Sequence, residues 1–345
     1  MFKRENTRKI NLKNIQIGGQ NKVIIQSMCN TKTKNIKATV AQIKKLEEAG
    51  CEAVRIAILD KEDANAVKDI VRQINIPLIA DIHFNPDYAI IAIKNGINKI
   101  RLNPGNIKDE AKIKEIVELC KEYKIPIRIG INAGSLNSKY EHTIENMILS
   151  AQDHIKILEA LDFHDICLSF KSSDALETIA VYRLAAKTFD YPLHLGVTEA
   201  GPLVDSSIKS SIALGTLLME GIGDTMRISI SDDPVKEIGV AKKILKTVGL
   251  RDETPDLVSC PTCGRIQYDM LPIVERIENY LDKINKNIKV AVMGCPVNGP
   301  LEAKRADIGI CGGKDSALLI KKGEIIKRVK QDEIYETLIE EIEKM

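Results

Sequence analysis

The sequence is poor in aromatic residues and contains no tryptophan. Aromatic residues make up 4% of its 345 positions, so surfaces that stack on bases or sugars are not expected. The formal net charge is only +2, which argues against a general basic surface and against nucleic acid as a partner. No apolar run reaches the length of a membrane-spanning helix, so no membrane association is expected.

A secretory signal is also missing from the start of the sequence. The first nine residues carry charges, but no apolar stretch follows them. Eight cysteines in a chain of this length are then expected to be thiols and metal ligands in a reducing compartment. We therefore expect a cytoplasmic protein, with ordinary soluble composition and enough length for one large and one small domain.

Short apolar segments rich in Ile and Val alternate with amphipathic segments over residues 1–248. The predicted strands are Val23–Met28, Ala53–Ile58, Pro77–Ile82, Lys99–Pro104, Pro126–Asn132, Asp165–Lys171, Leu193–Glu199 and Thr225–Ile230. A helix is predicted after every strand, and Asp60, Asp174 and Asp233 stand at expected N-cap positions. Eight strand–helix units predict a parallel sheet closed into a (β/α)8, or TIM, barrel. The alternative is an open doubly wound sheet, but its usual glycine-rich fingerprint after the first strand is absent.

A polar, turn-rich segment at residues 249–256 predicts a linker. Residues 257–345 then predict a small α/β domain. Its expected elements are a helix at Gln267–Ile284, strands at Ile288–Met293 and Ile308–Cys311, a hairpin at Ala317–Val329 and a helix at Asp332–Glu343.

Five predicted barrel strands carry a positive charge, although buried parallel strands are normally apolar. Arginine is the third residue of four strands and lysine ends a fifth: Arg55, Arg101, Arg128, Arg227 and Lys171. The two-residue period of a strand, together with the strand ends, adds polar residues on the same side: Asp81, His83, Asn103, Asn132, Thr198, Glu199 and Ser229. Catalytic residues of TIM barrels lie at these carboxyl ends.

The charges at the strand ends predict an anionic ligand. Any one arginine could be held by a structural carboxylate. Four at matching depth exceed the supply from Asp81 and Glu199, and each uncompensated buried cation costs on the order of several kcal/mol. The guanidinium fork suits phosphate, so we expect a small substrate with more than one phosphate group or a diphosphate. His194, near the start of its strand, is expected to be structural.

A second candidate site is formed by three cysteines and a glutamate. Cys260 and Cys263 are two residues apart, so one turn can present both thiolates to one metal centre, and Cys295 follows in a loop rich in Gly and Pro. Zinc or a thioredoxin-like motif remains open, with Cys311 as a more distant candidate ligand. An iron–sulfur cluster tolerates a weaker fourth ligand, for which Glu302 is the nearest carboxylate. The spacing favours the cluster over zinc.

Eight stretches in a specific order carry a family resemblance. They are Val54–Ile56, Ala80–Phe84, Ile100–Asn106, Pro126–Leu136, Leu195–Gly201, Gly221–Ser229, Ser259–Arg265 and the Cys295–Glu302 loop. Together they resemble the 4-hydroxy-3-methylbut-2-enyl diphosphate synthase family in its two-domain bacterial form. The resemblance implies a [4Fe-4S] oxidoreductase of the methylerythritol phosphate route to isoprenoids. Its reaction would open 2-C-methylerythritol 2,4-cyclodiphosphate by a two-electron reductive dehydration, with electrons from ferredoxin or flavodoxin.

The resemblance also implies roles for individual residues. Cys260, Cys263 and Cys295 would hold three irons, and Glu302 would hold the fourth until a substrate oxygen displaces it. The diphosphate clamp would consist of Arg55, His83, Arg101, Arg128, Lys171, Arg227 and Ser229. Asp81 and Asn132 would orient the site, and Glu199 would donate a proton to the leaving oxygen. Asn103 and Thr198 join the substrate site by their places on the strands.

Two other classes of function stay open. One is a zinc-stabilised barrel lyase or pterin-binding transferase that acts on a phosphorylated small molecule. The other is a non-catalytic cluster protein, which leaves the strand-end arginines without a role.

A homodimer with active sites shared between chains is also expected. The eighth helix of a barrel returns the chain to the face opposite the active site, and a linker of about eight residues spans at most roughly 28 Å. A head-to-tail pair, in which each small domain caps the partner's barrel, avoids carrying that domain over the rim.

Overall fold

The computed structural model describes residues 4–19, 22–82, 85–136 and 140–345. The chain folds into two compact units, Met1–Leu250 and Arg251–Met345. In the described residues no helix combines the length and the apolar character that crossing a membrane requires.

The first unit alternates strands and helices after an N-terminal hairpin. Its strands are β1 (Ile10–Leu12), β2 (Ile15–Ile17), β3 (Ile24–Met28), β4 (Ala53–Ile58), β5 (Leu78–Ile82), β6 (Lys99–Arg101), β7 (Ile127–Asn132), β8 (Ile166–Lys171), β9 (His194–Leu195) and β10 (Thr225–Met226). Its helices are α1 (Ile36–Ala49), α2 (Lys61–Val71), α3 (Pro86–Lys94), α4 (Glu110–Tyr123), α5 (Ile144–Glu159), α6 (Ala175–Thr188), α7 (Leu203–Met219) and α8 (Pro234–Thr247).

Strands β3 to β10 form one parallel sheet that closes on itself. Strands β3 to β8 pair in chain order, and β10 pairs with both β3 and β9. A parallel bridge between Leu168 and Leu193 joins β8 to the residue before β9, which completes the ring. The predicted (β/α)8 barrel is therefore confirmed, and the doubly wound alternative is wrong.

Helix N-caps lie where the sequence predicts them. The carboxylate of Asp60 accepts a hydrogen bond from the backbone N–H of Asp63, and that of Asp174 accepts one from Glu177. Asp233 caps α8 in the same way before Pro234. Such caps satisfy backbone donors that a helix leaves free at its start, so each helix begins at a defined place after its strand.

Three barrel strands are shorter than predicted by three residues or more, while β3, β5, β7 and β8 each begin one residue later than predicted. Strand β6 ends at Arg101, and β9 and β10 contain two residues each. Val197 and Ile228 beyond these strands are buried although they lie outside the ladder. Hydrophobic alternation reports burial, not hydrogen bonding, and therefore extended these strands too far.

The β1–β2 hairpin seals one end of the barrel, a feature that the sequence prediction missed. Ile10, Leu12 and Ile17 of the hairpin form one core cluster with residues near the amino ends of barrel strands: Ile24, Ala53, Ile79 and Cys167. Arg101, Asn132 and Lys171 end their strands at the opposite, carboxyl side, whereas Arg55 lies within β4 and Arg128 is the second residue of β7. The hairpin itself lies at the amino side of the barrel.

The second unit is a mixed five-stranded sheet with helices. Its elements are β11 (Asp256–Ser259), α9 (Leu271–Leu281), β12 (Lys289–Met293), α10 (Gly299–Ala303), β13 (Ile308–Gly312), β14 (Ser316–Lys321), β15 (Glu324–Lys330) and α11 (Ile334–Glu343). Strands β11, β12 and β13 are parallel, and β14 and β15 continue the sheet as the expected hairpin. Helices α9 and α11 contribute to a core with the sheet.

Two elements of the second unit differ from the prediction. Strand β11 begins at Asp256, within the predicted linker, because Leu257 and Val258 pair with β12. Helix α10 was not predicted, since Gly299 and Pro300 are read as loop residues, although Pro is suited to the first turn of a helix.

Candidate active site

Aspartate and arginine side chains line up across neighbouring barrel strands. Asp81, Arg101 and Arg128 are direct partners in register on β5, β6 and β7. Asp81 Oδ1 lies 3.7 Å from Arg101 Nη1, and its Oδ2 lies 3.7 Å from Nε of Arg55. One carboxylate therefore lies between two guanidinium groups.

Arg128 is a buried cation without a carboxylate partner in the described residues. Its side chain is 3% exposed, and neither Nε nor Nη1 has a hydrogen-bond partner in the described part of the chain. Burial lowers the pKa of Arg128, and the Asp81 charge opposes this effect. An arginine in this state requires an anion, because buried donors normally have partners.

Lys171 brings a further positive charge to the same place. It ends β8 beside Asn132, its register partner on β7. Burial lowers the pKa of Lys171 well below its usual value, and the charges of Arg128, Arg55 and Arg227 lower it further.

Gly196 leaves the room that this lysine occupies. A Cβ at position 196 would lie 2.8 Å from Lys171 Nζ and 3.0 Å from the carbonyl oxygen of Arg227. Any larger residue would therefore displace the ammonium group or the backbone.

The basic groups depress one another's pKa values. Burial lowers the pKa of Arg55 to about 9; Asp81 raises it, and the charges of Arg128, Arg227 and Arg101 lower it. A bound multivalent anion reverses these shifts by favouring the charged forms. The barrel thus gathers several buried positive charges, which a multivalent anion would offset.

Replacing Arg128 with Met tests this assignment. We expect the Kd for inorganic pyrophosphate to rise about 30-fold, since a charge-assisted contact in a partly desolvated site contributes about 2 kcal/mol. The melting temperature of the ligand-free protein should not fall, because an apolar residue of similar volume removes an uncompensated buried charge. Calorimetric titration and thermal denaturation measure the two effects.

Arg183→Met is the matched control, since Arg183 lies on helix α6, pairs with Glu220 at the end of α7, and has a side chain that is 47% exposed. Unchanged pyrophosphate affinity in Arg128→Met would remove Arg128 from the site.

Arg227 is held by Glu237, a residue that the sequence prediction missed. The Arg227 Nη2 and Nε groups donate to Glu237 Oε1 and Oε2 at 3.0 and 3.2 Å. Met28 Sδ lies 2.9 Å from Nη2 of Arg55 and 3.6 Å from Nη1 of Arg227. Neither residue has a sequence signal, because Glu237 belongs to a helix pattern and Met28 to a strand pattern.

Lys99 lies deeper in the barrel and was also missed. It is 1% exposed, and its Nζ has no hydrogen-bond partner in the described residues. Its position two residues before Arg101 puts both side chains on one face of β6, so strand alternation could have found it. Burial lowers the pKa of Lys99, with the nearby Cys167 thiol opposing this.

His194 is buried in the barrel, as its predicted structural role requires. Its Nδ1 lies 2.8 Å from the hydroxyl of Thr225. Burial lowers its pKa well below the usual value, and the charges of Lys171, Arg128 and Lys99 act in the same direction. His194 is therefore neutral in the ligand-free protein.

The remaining predicted residues differ in how they meet the site. The Asn103 amide bonds both the N–H and the carbonyl of Gly130, at 3.0 and 2.9 Å, so it braces the backbone between two strands. The Thr198 N–H donates to the carbonyl of Ser172, next to Lys171. The Ser229 carbonyl accepts a hydrogen bond from Ser206 at 2.8 Å. His83 lies outside the described residues.

Glu199 follows Thr198 with a left-handed backbone. Its φ is +51°, a conformation that glycine adopts easily and a glutamate does not. Its side chain is exposed within this unit. Strained backbone of this kind concentrates at functional sites, which supports a defined task for this carboxylate.

The second unit brings its cysteines together through parallel strand ends. Cys260 follows β11 directly, and Cys295 comes two residues after the end of its neighbour β12. The Gly294 N–H donates to Cys260 Sγ at 3.2 Å, while the Cys311 thiol donates to the carbonyl of Cys295 at the same distance. Backbone hydrogen bonding by Arg265 lowers the pKa of Cys263.

One cavity collects the four predicted ligands of this unit. Its volume is about 360 Å³, and Cys260, Cys263, Cys295 and Glu302 all line it. Within the described chain, however, no three Cys, His, Asp or Glu side chains are grouped closely enough to hold a single metal ion. A zinc ion needs four ligands on one centre, whereas the irons of a polynuclear cluster each take one protein ligand.

Fold and charge together define the class. The first unit is a TIM barrel with a cluster of buried positive charges, and the second is a small α/β unit with a cavity lined by three cysteines. Residues 7–242 match the GcpE TIM-barrel domain, and residues 256–344 match the GcpE protein C-terminal domain. The chain belongs to the GcpE family.

Similar proteins cover the whole chain. A Clostridium perfringens protein named 4-hydroxy-3-methylbut-2-en-1-yl diphosphate synthase (flavodoxin) is 54% identical over 345 residues, covering 99% of each chain. A Geobacillus thermodenitrificans protein of the same name is 52% identical over 347 residues, covering 99% of this chain and 93% of its own.

Solved structures share the barrel fold. Dihydropteroate synthase from Stenotrophomonas maltophilia has a TM-score of 0.54 at 11% identity, covering 71% of this chain and 100% of its own. The Yersinia pestis dihydropteroate synthase has a TM-score of 0.52 at 14% identity, with 70% and 96% covered. Identities this low concern the fold alone.

Proposed function

We propose that this chain converts 2-C-methyl-D-erythritol 2,4-cyclodiphosphate into (E)-4-hydroxy-3-methylbut-2-enyl diphosphate in isoprenoid biosynthesis. The observation that carries the proposal is the full-length identity of 54% to a protein named for this activity. The cation cluster of the barrel supports it, because a cyclic diphosphate supplies the negative charge that the cluster lacks. The reaction opens the ring, takes up two electrons and two protons, and releases water.

The barrel residues would bind and orient the diphosphate. Arg55, Arg101, Arg128 and Lys171 offer charge, and Arg227 offers donors in a fixed orientation. Arg128 has donors ready on its unpartnered atoms. His83 and Ser229 are proposed to complete the clamp. Asp81 would hold Arg55 and Arg101 in place, while Asn132 and Thr198 orient the substrate beside Lys171 and Asn103 braces the strands.

Glu199 would act as the proton donor for the leaving oxygen. It lies directly after Thr198, and its backbone is left-handed. Proton transfer by a positioned carboxylic acid is an established means of expelling a poor leaving group.

The second unit is proposed to hold a [4Fe-4S] cluster. Cys260, Cys263 and Cys295 would each bind an iron, with Glu302 as the exchangeable fourth ligand. The cluster, when bound, would supply the two electrons of the reduction. The thiolate and carboxylate donors around one cavity support this assignment.

Flavodoxin is the proposed electron donor, because the names of the relatives specify it. Ferredoxin is the alternative. A cytoplasmic location is proposed as well, since all eight cysteines are free in the structure, as a reducing compartment requires.

Anaerobic turnover tests the proposed function. Purified protein with reduced flavodoxin should form 4-hydroxy-3-methylbut-2-enyl diphosphate from the cyclic diphosphate, and its iron and sulfide contents should approach four each per chain, as expected for this cluster. A colourless protein that carries zinc and leaves the substrate unchanged would favour the barrel lyase or pterin-binding transferase instead.

We also propose a division of labour within the chain and a homodimer. Residues 1–248 would bind substrate, 249–256 would link, and 257–345 would carry the cluster. Helix α8 ends at Thr247, at the face opposite the strand carboxyl ends. The eight residues from there to β11 span at most about 28 Å, while a helix of this length covers about 21 Å. A cluster domain placed on the partner's barrel would not require the linker to extend along its own barrel from one face to the other.

Complementation tests the sharing of sites between chains. Inactive Cys260→Ser chains are mixed with inactive Arg128→Ala chains under conditions that let dimers exchange. Sharing in trans leaves one site of each heterodimer with both parts intact, so activity should return to about a quarter of the wild-type value at equal mixing. Mixing either variant with itself is the control. A mixture that stays inactive despite demonstrated exchange would mean that each chain serves its own barrel.

A further inference from the structure

Glu237 is a buried carboxylate that no step of the proposed reaction uses. It lies in the first turn of α8 and is 2% exposed. Its Oε2 accepts hydrogen bonds from the Ser27 hydroxyl at 2.7 Å and from Arg227 Nε at 3.2 Å. Its Oε1 accepts from Arg227 Nη2 at 3.0 Å and from the Ile230 N–H at 3.5 Å. A helix outside the sheet thus reaches a residue of β3 and two residues that follow β10.

The contacts fix the direction of Arg227. Two parallel N–H···O bonds occupy the Nε and Nη2 edge of the guanidinium, the geometry that arginine and carboxylate pairs prefer. The opposite group, Nη1, lies 3.6 Å from Met28 Sδ. The same sulfur contacts Nη2 of Arg55 at 2.9 Å. The edge of Arg227 that Glu237 leaves available is therefore turned toward the cation cluster.

Arg227 differs in this respect from its neighbours. Arg55 and Arg101 share Asp81 at 3.7 Å each, and Arg128 has no carboxylate partner in the described residues. Glu237 offsets most of the charge of Arg227 but holds its donors in place. The cluster thus combines cations that attract an anion with one arginine that is oriented in advance.

We propose that Glu237 is a positioning residue for the diphosphate site. It holds Arg227 so that the Nη1 side of the guanidinium, next to Met28 Sδ, meets a phosphate group. The proposal rests on the proposed function for the identity of the substrate. Groups that orient metal ligands change affinity or activity about 10- to 100-fold when they are removed, and we take the lower end of that range for an oriented arginine. Preorganisation reduces the cost of ordering a long side chain on binding.

Glu237→Gln separates positioning from simple charge, because the two roles predict opposite signs. Removing a carboxylate beside a cation cluster should tighten anion binding if only charge matters. If Glu237 positions Arg227, binding should weaken, since the NH2 end of the glutamine amide cannot accept a hydrogen bond and the two parallel bonds to Arg227 are lost. We expect the Kd for inorganic pyrophosphate to rise about tenfold. The KM for the cyclic diphosphate should rise to match, with kcat within about twofold of wild type.

A double-mutant cycle decides whether the effect acts through Arg227. In an Arg227→Ala background, Glu237→Gln should cause no further loss of pyrophosphate affinity. Glu220→Gln is the matched control, because Glu220 accepts hydrogen bonds from the same Nε and Nη2 edge of another arginine, Arg183, outside the cluster. It should leave pyrophosphate affinity unchanged.

Glu237→Asp covers the case in which the glutamine variant fails to fold. Aspartate keeps the charge and shortens the side chain by one methylene. A positioning role therefore predicts weaker pyrophosphate binding, whereas a role through charge alone predicts unchanged binding. Tighter binding in Glu237→Gln, unchanged binding in Glu237→Asp, or an equal loss without Arg227 would each overturn the inference, as would a wild-type protein that does not bind pyrophosphate. Pyrophosphate binding is independent of turnover. A wild-type protein that binds it but leaves the cyclic diphosphate unchanged would overturn the proposed function alone.

Discussion

Serine in place of Cys260, Cys263 or Cys295 is expected to abolish the brown chromophore or leave it substoichiometric, and with it to abolish turnover. A hydroxyl is a harder and less acidic ligand than a thiolate and binds iron in a cluster poorly. The three cysteines line one cavity with Glu302. Iron and sulfide analysis of anaerobically purified variants, together with their absorption spectra, measures the effect.

The other cysteines provide the controls for this series. Cys120 is fully buried in the barrel, and Cys29, Cys51 and Cys167 lie there too. Cys311→Ser is the demanding control, because its thiol donates to the carbonyl of Cys295 and a hydroxyl can do the same. All five should keep the cluster. Full iron loading with wild-type turnover in a Cys260, Cys263 or Cys295 variant would remove that residue from the ligand set.

Glu199→Gln should bind the cyclic diphosphate normally and turn it over on the order of 10² to 10⁴ times more slowly, the range that general acid catalysis contributes. Glutamine keeps the shape of the side chain and removes its proton. Pre-steady-state turnover and pyrophosphate titration separate the chemical step from binding. Near-normal turnover in this variant would show that another group delivers the proton.

Glu199→Gly serves as the companion variant. It also lacks the carboxyl, and it relieves the left-handed backbone at φ +51°. It should therefore be equally slow but more stable by about 1 kcal/mol. The pair distinguishes loss of the acid from disturbance of the loop, because only the glycine variant changes the melting temperature upward.

Much of the barrel could be predicted because apolar periodicity and cap residues report on burial and helix starts. Arg55, Arg101 and Arg128 could be found because a cation in a buried strand contradicts its surroundings. The same reasoning covers Lys99, since alternation places it with Arg101. The hairpin also left a signal: Ile10, Leu12, Ile15 and Ile17 alternate with polar residues around a turn at Lys13.

Other features could not be predicted, because they depend on tertiary contacts. Glu237 has the sequence setting of an ordinary acidic residue in the first turn of a helix. Its pairing with Arg227 arises only when α8 packs beside the end of β10. The short lengths of β9 and β10 likewise reflect where the ladder stops, which the burial of Val197 and Ile228 conceals from a hydrophobicity pattern.

The β1–β2 hairpin closes the amino end of the barrel. Ile10, Leu12 and Ile17 fill this end, so in the described part of the chain a ligand enters and leaves the barrel at its carboxyl end. Substrate and product then share one opening, and the binding of one excludes the other. Both carry a diphosphate, cyclic in the substrate and linear in the product, so the charges that bind the one also slow the departure of the other. The rate of product release then limits turnover.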